Sequence, residues 1–214
     1  MQRTAVSIDA RVAAVCAATK GFMPADEGQA LFEWACVAGA SGLGPLLEIG
    51  TYCGKSALLL GDAARRSGAT AYSIDHHRGS EENQAGWEHH DREVVDPRTG
   101  RMDTLPFARR ALFDANLEGS VVLMLSDSKT VATNWAAPLS FCFIDGGHAE
   151  DVAMADYELW AHRVASGGFL AIHDVFERAE DGGQAPFHVW QRAVADGFTP
   201  TDQQGSLRIL TAPA

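Results

Sequence analysis

The amino-acid sequence predicts an α/β protein in which a mostly parallel, doubly wound sheet carries helices on both faces. Short apolar runs with an acid at or near their ends recur along the chain: "PLLEIG", "TAYSID", "SVVLMLSDS", "SFCFIDGGH" and "GGFLAIHDV". Segments with helical spacing lie among them, and that alternation buries a parallel sheet on both sides. The last pair of runs, "FTPTDQQGSLRILTA", reads as an antiparallel hairpin at a sheet edge. The architecture expected is therefore Rossmann-like, with a C-terminal antiparallel edge.

Each element follows from local signals. Residues 5 to 20 and 26 to 39 carry apolar positions at helical spacing and are joined by "GFMP", where Gly21 and Pro24 punctuate. Two helices thus fill residues 1–42, ahead of the first strand. "PLLEIG" follows as a buried strand, "KSALLLGDAARRSG" as a helix stopped by Gly68, and "TAYSID" as the second strand. Further on, "AEDVAMADYELWAHRVAS" gives a helix between the last two parallel strands, and "PFHVWQRAVADG" gives another after them. Residues 76–106, "HHRGSEENQAGWEHHDREVVDPRTGRMDTLP", fit neither period. They hold four of the eight histidines, and a segment of this length without periodicity is expected to be a functional loop.

With 214 residues, 46% of them hydrophobic and 21% charged, the chain has the size of one domain with its own core. Its 28 acids against 17 bases leave a formal charge of -11, which repels a phosphate backbone and argues against nucleic acid as a partner. No apolar run reaches the ~20 residues of a membrane span. "MQRTAVSIDARVAAVCAATK" lacks the apolar core of a signal peptide, so a cytoplasmic protein without a membrane partner is expected. Cys16, Cys36, Cys53 and Cys142 show no metal-ligand spacing and read as buried thiols. The N-terminal helices and the edge hairpin leave room for a homo-oligomer.

The stretch "LLEIGTYCGKSALLL" joins the first strand to its helix. A phosphate loop needs four residues between its glycines, whereas Gly50 and Gly54 enclose three, so Lys55 is displaced from the arc. A dinucleotide fingerprint fails because Tyr52 and Lys55 stand where glycines are required. What remains is E-x-G-x-x-x-G, met by Glu48, Gly50 and Gly54. On these residues, and over residues 46 to 175, the chain resembles class I S-adenosylmethionine-dependent methyltransferases. The resemblance implies a glycine loop packed against S-adenosylmethionine, with Tyr52 and Ser56 beside it. It also implies that Asp75 accepts from the ribose hydroxyls, and that Ser126, Asp127 and Ser128 lie near the adenine. Ligands of open α/β sheets sit beyond these strand ends.

Two further strand ends, "IDGGH" and "IHDV", resemble the sugar and small-molecule O-methyltransferase branch, including macrolide-sugar and cephalosporin-hydroxylase-like enzymes. In that branch the matching acids hold a divalent cation, magnesium or manganese, against the acceptor oxygen. Asp145 and Asp174 match, and His173 stands where relatives carry an acid or amide, which leaves it as an imperfect third ligand. A sugar hydroxyl is a poor nucleophile near neutral pH, so a cation or a base must assist it; His148 or Asp145 is the base expected. Glu81, Glu82, Gln84, Trp87, His89 and His90 combine polar groups with an aromatic platform and form the expected acceptor wall. "SEENQAGWEHHD" with "GRMDTLPFARR" resembles the methylmannose-polysaccharide 1-O-methyltransferase group, which implies polysaccharide biosynthesis and a short mannoside as acceptor. Two other functions compete: a cofactor-binding regulatory domain without turnover, and a nucleotide hydrolase of the phosphate-loop type.

Overall fold

The computed structural model describes residues 3, 5–84, 86, 87 and 90–214, with the backbone alone at Glu82. Helix α1 (Ala10–Ala18) starts at Asp9, whose carboxylate accepts from the Arg11 and Val12 amides and so satisfies two orphan N–H groups. Helix α2 (Ala25–Ala40) follows, then strand β1 (Leu46–Ile49), helix α3 (Lys55–Ser67) and strand β2 (Ala71–Asp75). Gly68 ends α3 at a φ of 75°, a left-handed turn that suits glycine. The chain continues through β3 (Val95–Asp96), β4 (Arg101–Met102), α4 (Leu105–Asp114), β5 (Val121–Leu125) and α5 (Ser128–Ala132). Strand β6 (Leu139–Ile144), α6 (Glu150–Trp160), β7 (Val164–Ile172), α7 (Ala185–Ala195) and the hairpin β8 (Thr199–Gln204) with β9 (Leu207–Thr211) complete it.

Seven strands form one sheet in the order β5-β2-β1-β6-β7-β9-β8. The first five are parallel neighbours, and β9 runs antiparallel between β7 and β8. Side chains alternate across the sheet with a period of two. Phe141 and Phe143 of β6 therefore pack with Phe32, Trp34, Leu58 and Leu60 on one face. Cys142 and Ile144 pack with Leu47, Trp160 and Leu170 on the other. In register, Ile49 stands beside Ile74 and Ile144, and Ile144 beside Ile172. The residues that follow each strand consequently reach the same rim of the sheet.

The structure departs from the sequence expectations at four places. The first helix begins at Ala10, where Asp9 caps it, rather than at residue 5. The helix expected over 149–166 stops at Trp160, because a 3-10 turn over Ala161–Arg163 leads into β7, whose Val164 already pairs with Leu139. Residues 76–106 contain local structure: 3-10 turns at Glu81–Asn83 and Arg92–Val94, and the β3–β4 ladder. Helix α4 arises where no helix was expected. Cys53 and Cys142 are buried, as read from the sequence, whereas Cys16 and Cys36 are only partly so. Among the described residues no helix is long and apolar enough to cross a membrane.

Candidate active site

A cavity of about 850 Å³ opens beyond the carboxyl ends of β1, β2, β5, β6 and β7. Its floor is the β1–α3 turn. Gly50 takes a φ of 99°, and a Cβ there would stand 1.9 Å from the carbonyl oxygen of Asp145, so this turn and the end of β6 approach as closely as glycine permits. Gly54 opens α3 at a φ of 96° and packs over Ala108 of α4 rather than facing the cavity. Tyr52 and Ser56 line the cavity, and Tyr52 holds the unusual φ of 48°. Its ring lies 5.5 Å from that of Phe22.

Asp75 fixes that turn from the neighbouring strand. Its Oδ2 accepts from the Thr51 and Tyr52 amides at 3.0 and 2.8 Å, and its Oδ1 accepts from the His77 amide at 2.7 Å. The carboxylate still faces the cavity, with lone pairs left for a ligand hydroxyl. Glu48 behaves differently from the expectation of a direct cofactor contact. It is wholly buried beneath the turn, where its Oε1 accepts from Ser73 and its Oε2 has no partner. Burial pushes its carboxyl up to about 8 against the opposing hydrogen bonds from Ser73 and Ser56. Its position supports the turn from below.

Ser126, Asp127 and Ser128 line the cavity at the end of β5. Asp127 caps α5, accepting from the Thr130 amide and hydroxyl at 2.7 and 2.8 Å, which holds its carboxyl below the usual range. Ser128 instead turns inward and donates its hydroxyl to Asp156 of α6.

At the ends of β6 and β7 the acids converge. One ligand atom from each of Asp145, His148 and Asp174 falls within 4.8 Å of the others. His148 Nε2 lies 3.2 Å from Asp174 Oδ2. Asp174 reaches this place by leaving β7 at a φ of 55°. Burial works to raise its carboxyl, but hydrogen bonds from His148 and His173 hold it well below the usual range.

His173, expected as a metal ligand, lies on the buried side of the cluster. Its ring is buried, with Nε2 donating to Glu27 Oε2 at 2.6 Å and Nδ1 lying 3.1 Å from Asp145 Oδ1 and 3.3 Å from Asp174 Oδ2. Nε2 is thus taken up by Glu27, and Nδ1 is the nitrogen that faces the two acids. Burial would lower its pKa, yet the charge of Asp145 and the bonds to Asp145, Asp174 and Glu27 raise it well above the ordinary value. Glu27, on α2, also accepts from the Ser206 amide at 2.7 Å in the β8–β9 turn. His148 takes the third place beside the two acids.

The acceptor wall is also rebuilt. Glu81, Gln84, Trp87 and His90 do not line the cavity. Gln84 spends its amide on the Arg78, Gly79 and Ser80 carbonyls, and His90 bonds the Asn83 carbonyl, so both staple the loop to itself. Trp87 points away, 55% exposed. His89 and the side chain of Glu82 lie outside the described residues. From this segment His76, Gly79, Ser80, Asn83 and Thr104 face the cavity instead. Two stretches that sequence reasoning passed over complete the wall: Lys20 to Met23 between α1 and α2, and Phe176 with residues 179–183 after β7. Lys20, on the cavity lining, places its Nζ 2.5 Å from Asp91 Oδ2 and 2.6 Å from Glu93 Oε2.

Comparison with known proteins finds the same fold in solved methyltransferases. The chain has the fold of an O-methyltransferase from Bacillus cereus crystallised with SAH, at 17% identity and a TM-score of 0.65, over 96% of this chain and 92% of that one. It likewise matches the O-methyltransferase TomG from Streptomyces achromogenes, crystallised with SAM, at 15% identity and a TM-score of 0.65, over 98% and 92% of the two chains. An SAH-bound methyltransferase from Podospora anserina matches at 14% identity and a TM-score of 0.66, over 97% and 89%. A family model described as a methyltransferase domain matches residues 47–175, which span the glycine turn, Asp75, the β5 end and the converging acids. With the greater part of its length inside that match, the chain belongs to the methyltransferase-domain family.

Proposed function

We propose that the protein is an S-adenosylmethionine-dependent O-methyltransferase that acts on a hydroxyl of a small polar acceptor, a sugar or short mannoside, with the help of a divalent cation. The observation that carries this reading is the convergence of Asp145, His148 and Asp174 on one corner of the cavity, next to the glycine turn. Two carboxylates this close repel unless positive charge lies between them. His173 neutralises them from beneath, and the open side of the cluster presents oxygen and nitrogen donors to the cavity. That donor set fits a cation: its carboxylates suit magnesium, and its imidazole suits manganese better than magnesium. When bound, such an ion lowers the pKa of a coordinated hydroxyl.

The residues of the chain do the rest. The turn from Gly50 to Ser56 and the Asp75 carboxylate hold the cofactor with its methyl toward the acids. Ser80 and Asn83 offer hydrogen bonds to acceptor hydroxyls, and Phe176 offers an apolar face. The acceptor oxygen bonds the methyl carbon as the carbon–sulfur bond breaks, and the hydroxyl proton passes to Asp145 or His148. A second reading dispenses with the ion. His148 and Asp174, 3.2 Å apart, form an imidazole–carboxylate pair able to act as an oriented base. The hydrolase alternative has less support, since Lys55 Nζ donates to the Gly21 carbonyl at 3.3 Å rather than reaching over the turn.

The test is mass spectrometry of products from a panel of small glycosides with S-adenosylmethionine, in excess EDTA and with magnesium or manganese restored. Loss in EDTA and return with one metal is expected, with Asp145→Ala and Asp174→Ala each abolishing the return. Equal activity in EDTA selects the His148 base. Stabilisation by S-adenosylhomocysteine without any methylated product selects a binding-only domain.

A further inference from the structure

We propose that Asp156 recognises the exocyclic amino group of the cofactor's adenine. The inference rests on the reading that the cavity binds S-adenosylmethionine, and it concerns a residue in the middle of α6 that no motif singles out.

Asp156 is only 6% exposed, yet it lines the cavity together with Ile74, Ser126, Ser128 and Gly146. Its Oδ1 accepts the Ser128 hydroxyl, which fixes the plane of the carboxylate. Its Oδ2 lies directly under Gly146: a Cβ at that position would stand 2.9 Å from it. The absence of a side chain at Gly146 leaves this oxygen open to the cavity, and among the described residues no donor reaches it.

A buried carboxylate is ordinarily paired with a cation or saturated with donors. Asp156 has neither. No arginine, lysine or histidine among the described residues pairs with it, and a single hydroxyl serves one of its oxygens. Burial pushes its carboxyl up to about 6, only partly opposed by Ser128. At neutral pH the group is still mainly ionised and lacks a donor on its cavity side. Asp127, the acid that sequence places near the adenine, is exposed and already accepts from the Thr130 amide and hydroxyl, so it differs from Asp156 in lying in solvent rather than in the buried wall.

The missing donor has a defined chemistry. An ionised carboxylate accepts and never donates, so it favours an amino group and rejects a carbonyl oxygen in the same place. Adenine presents an amino group at its six position, and hypoxanthine presents a carbonyl. Between Ser128 after β5 and Gly146 after β6, Asp156 is the buried acceptor able to make that distinction.

The experiment compares S-adenosylhomocysteine with S-inosylhomocysteine by calorimetry on the full chain at pH 7.5. Wild type is expected to prefer the amino ligand about tenfold or more, since a site built around a polar group discriminates against a ligand that leaves it unpaired. In Asp156→Asn the amide keeps its oxygen toward Ser128 and turns its NH2 to the ring. The preference should then fall below about threefold or reverse. Asp156→Ser, which replaces the carboxylate by a shorter hydroxyl able to donate or accept, should lose the preference without reversing it. Equal binding of the two ligands by wild type, or a wild-type preference retained in either folded variant, overturns the proposal. Absence of S-adenosylhomocysteine binding by wild type overturns the cofactor reading itself.

Discussion

Replacing Glu48 by Gln should change how stability depends on pH, and the size of the effect follows from the burial of this carboxyl. Its pKa stands at about 8 in the fold against an ordinary 4.5. At about 1.4 kcal/mol per pH unit, ionising it inside the protein costs about 5 kcal/mol. The sign follows from proton binding. The folded state holds this proton more tightly than the unfolded state, so its contribution is complete below the ordinary pKa of 4.5 and is lost as pH rises toward 8. Integrated over that window, wild type has lost about 1 kcal/mol at pH 5 and about 3 kcal/mol at pH 7. Gln does not titrate. Its carbonyl can keep the bond from Ser73, while its NH2 occupies the place of the unpartnered Oε2, at a cost of about 1 to 2 kcal/mol. The variant should therefore be equal to or slightly weaker than wild type at pH 5 and stronger at pH 8. Between pH 5 and 7 the difference should move by about 2 kcal/mol, or about 1 M in urea midpoint. Urea titrations at pH 5, 6, 7 and 8 with unchanged slopes would measure it. Parallel curves for the two proteins across this range would refute the reasoning and assign Glu48 a partner that keeps it ionised.

Two other outcomes are expected. Asp62 is fully buried in α3, where burial would raise its carboxyl but bonds from Arg66, the Asp9 amide and Arg65 hold it below 3.8. Asp62→Asn should cost about 2 to 3 kcal/mol at pH 7, and the gap to wild type should close as pH falls through the folded pKa, measured by thermal unfolding from pH 7 to 2.5. Lys20→Ala removes the bridge to Asp91 and Glu93. Because all three groups are partly exposed, unfolding should show a loss under about 1 kcal/mol, whereas steady-state kinetics should show a rise in acceptor KM with cofactor affinity unchanged.

What sequence could and could not reveal divides along the range of the interactions. The glycine turn was legible because its constraint is local: Gly50 and Gly54 need positive φ, and Asp75 follows its own strand by one fixed register. Asp145 and Asp174 were legible for the same reason, each ending a recognisable apolar run. The partner of His173 was not legible, because Glu27 lies 146 residues away on a helix whose own pattern shows no site. Asp156 gave no signal, being one acid among several on α6 until the fold sets it against Ser128. Helix α4 escaped because Pro106 and the pair Arg109 and Arg110 blur its apolar face, although its first turn accepts proline readily. Gln84 and His90, expected in the acceptor wall, spend their polarity on the loop's own hydrogen bonds, and polarity in a sequence does not state where it is directed.

The bridge from Lys20 to Asp91 and Glu93 joins two chain excursions, neither of which belongs to the seven-stranded sheet. The third piece of the wall, after β7, is likewise an excursion between a strand and a helix. Lineages that share this sheet can therefore lengthen, shorten or recolour those three segments while the rim acids and the glycine turn keep their register. Selection for a new acceptor then acts on parts whose failure leaves the core intact, and the exchange of the single charge at position 20 removes both ion pairs between one excursion and the other. In that sense the clasp is a joint in the inheritance of the protein as well as in its shape, the place where a change of diet would begin.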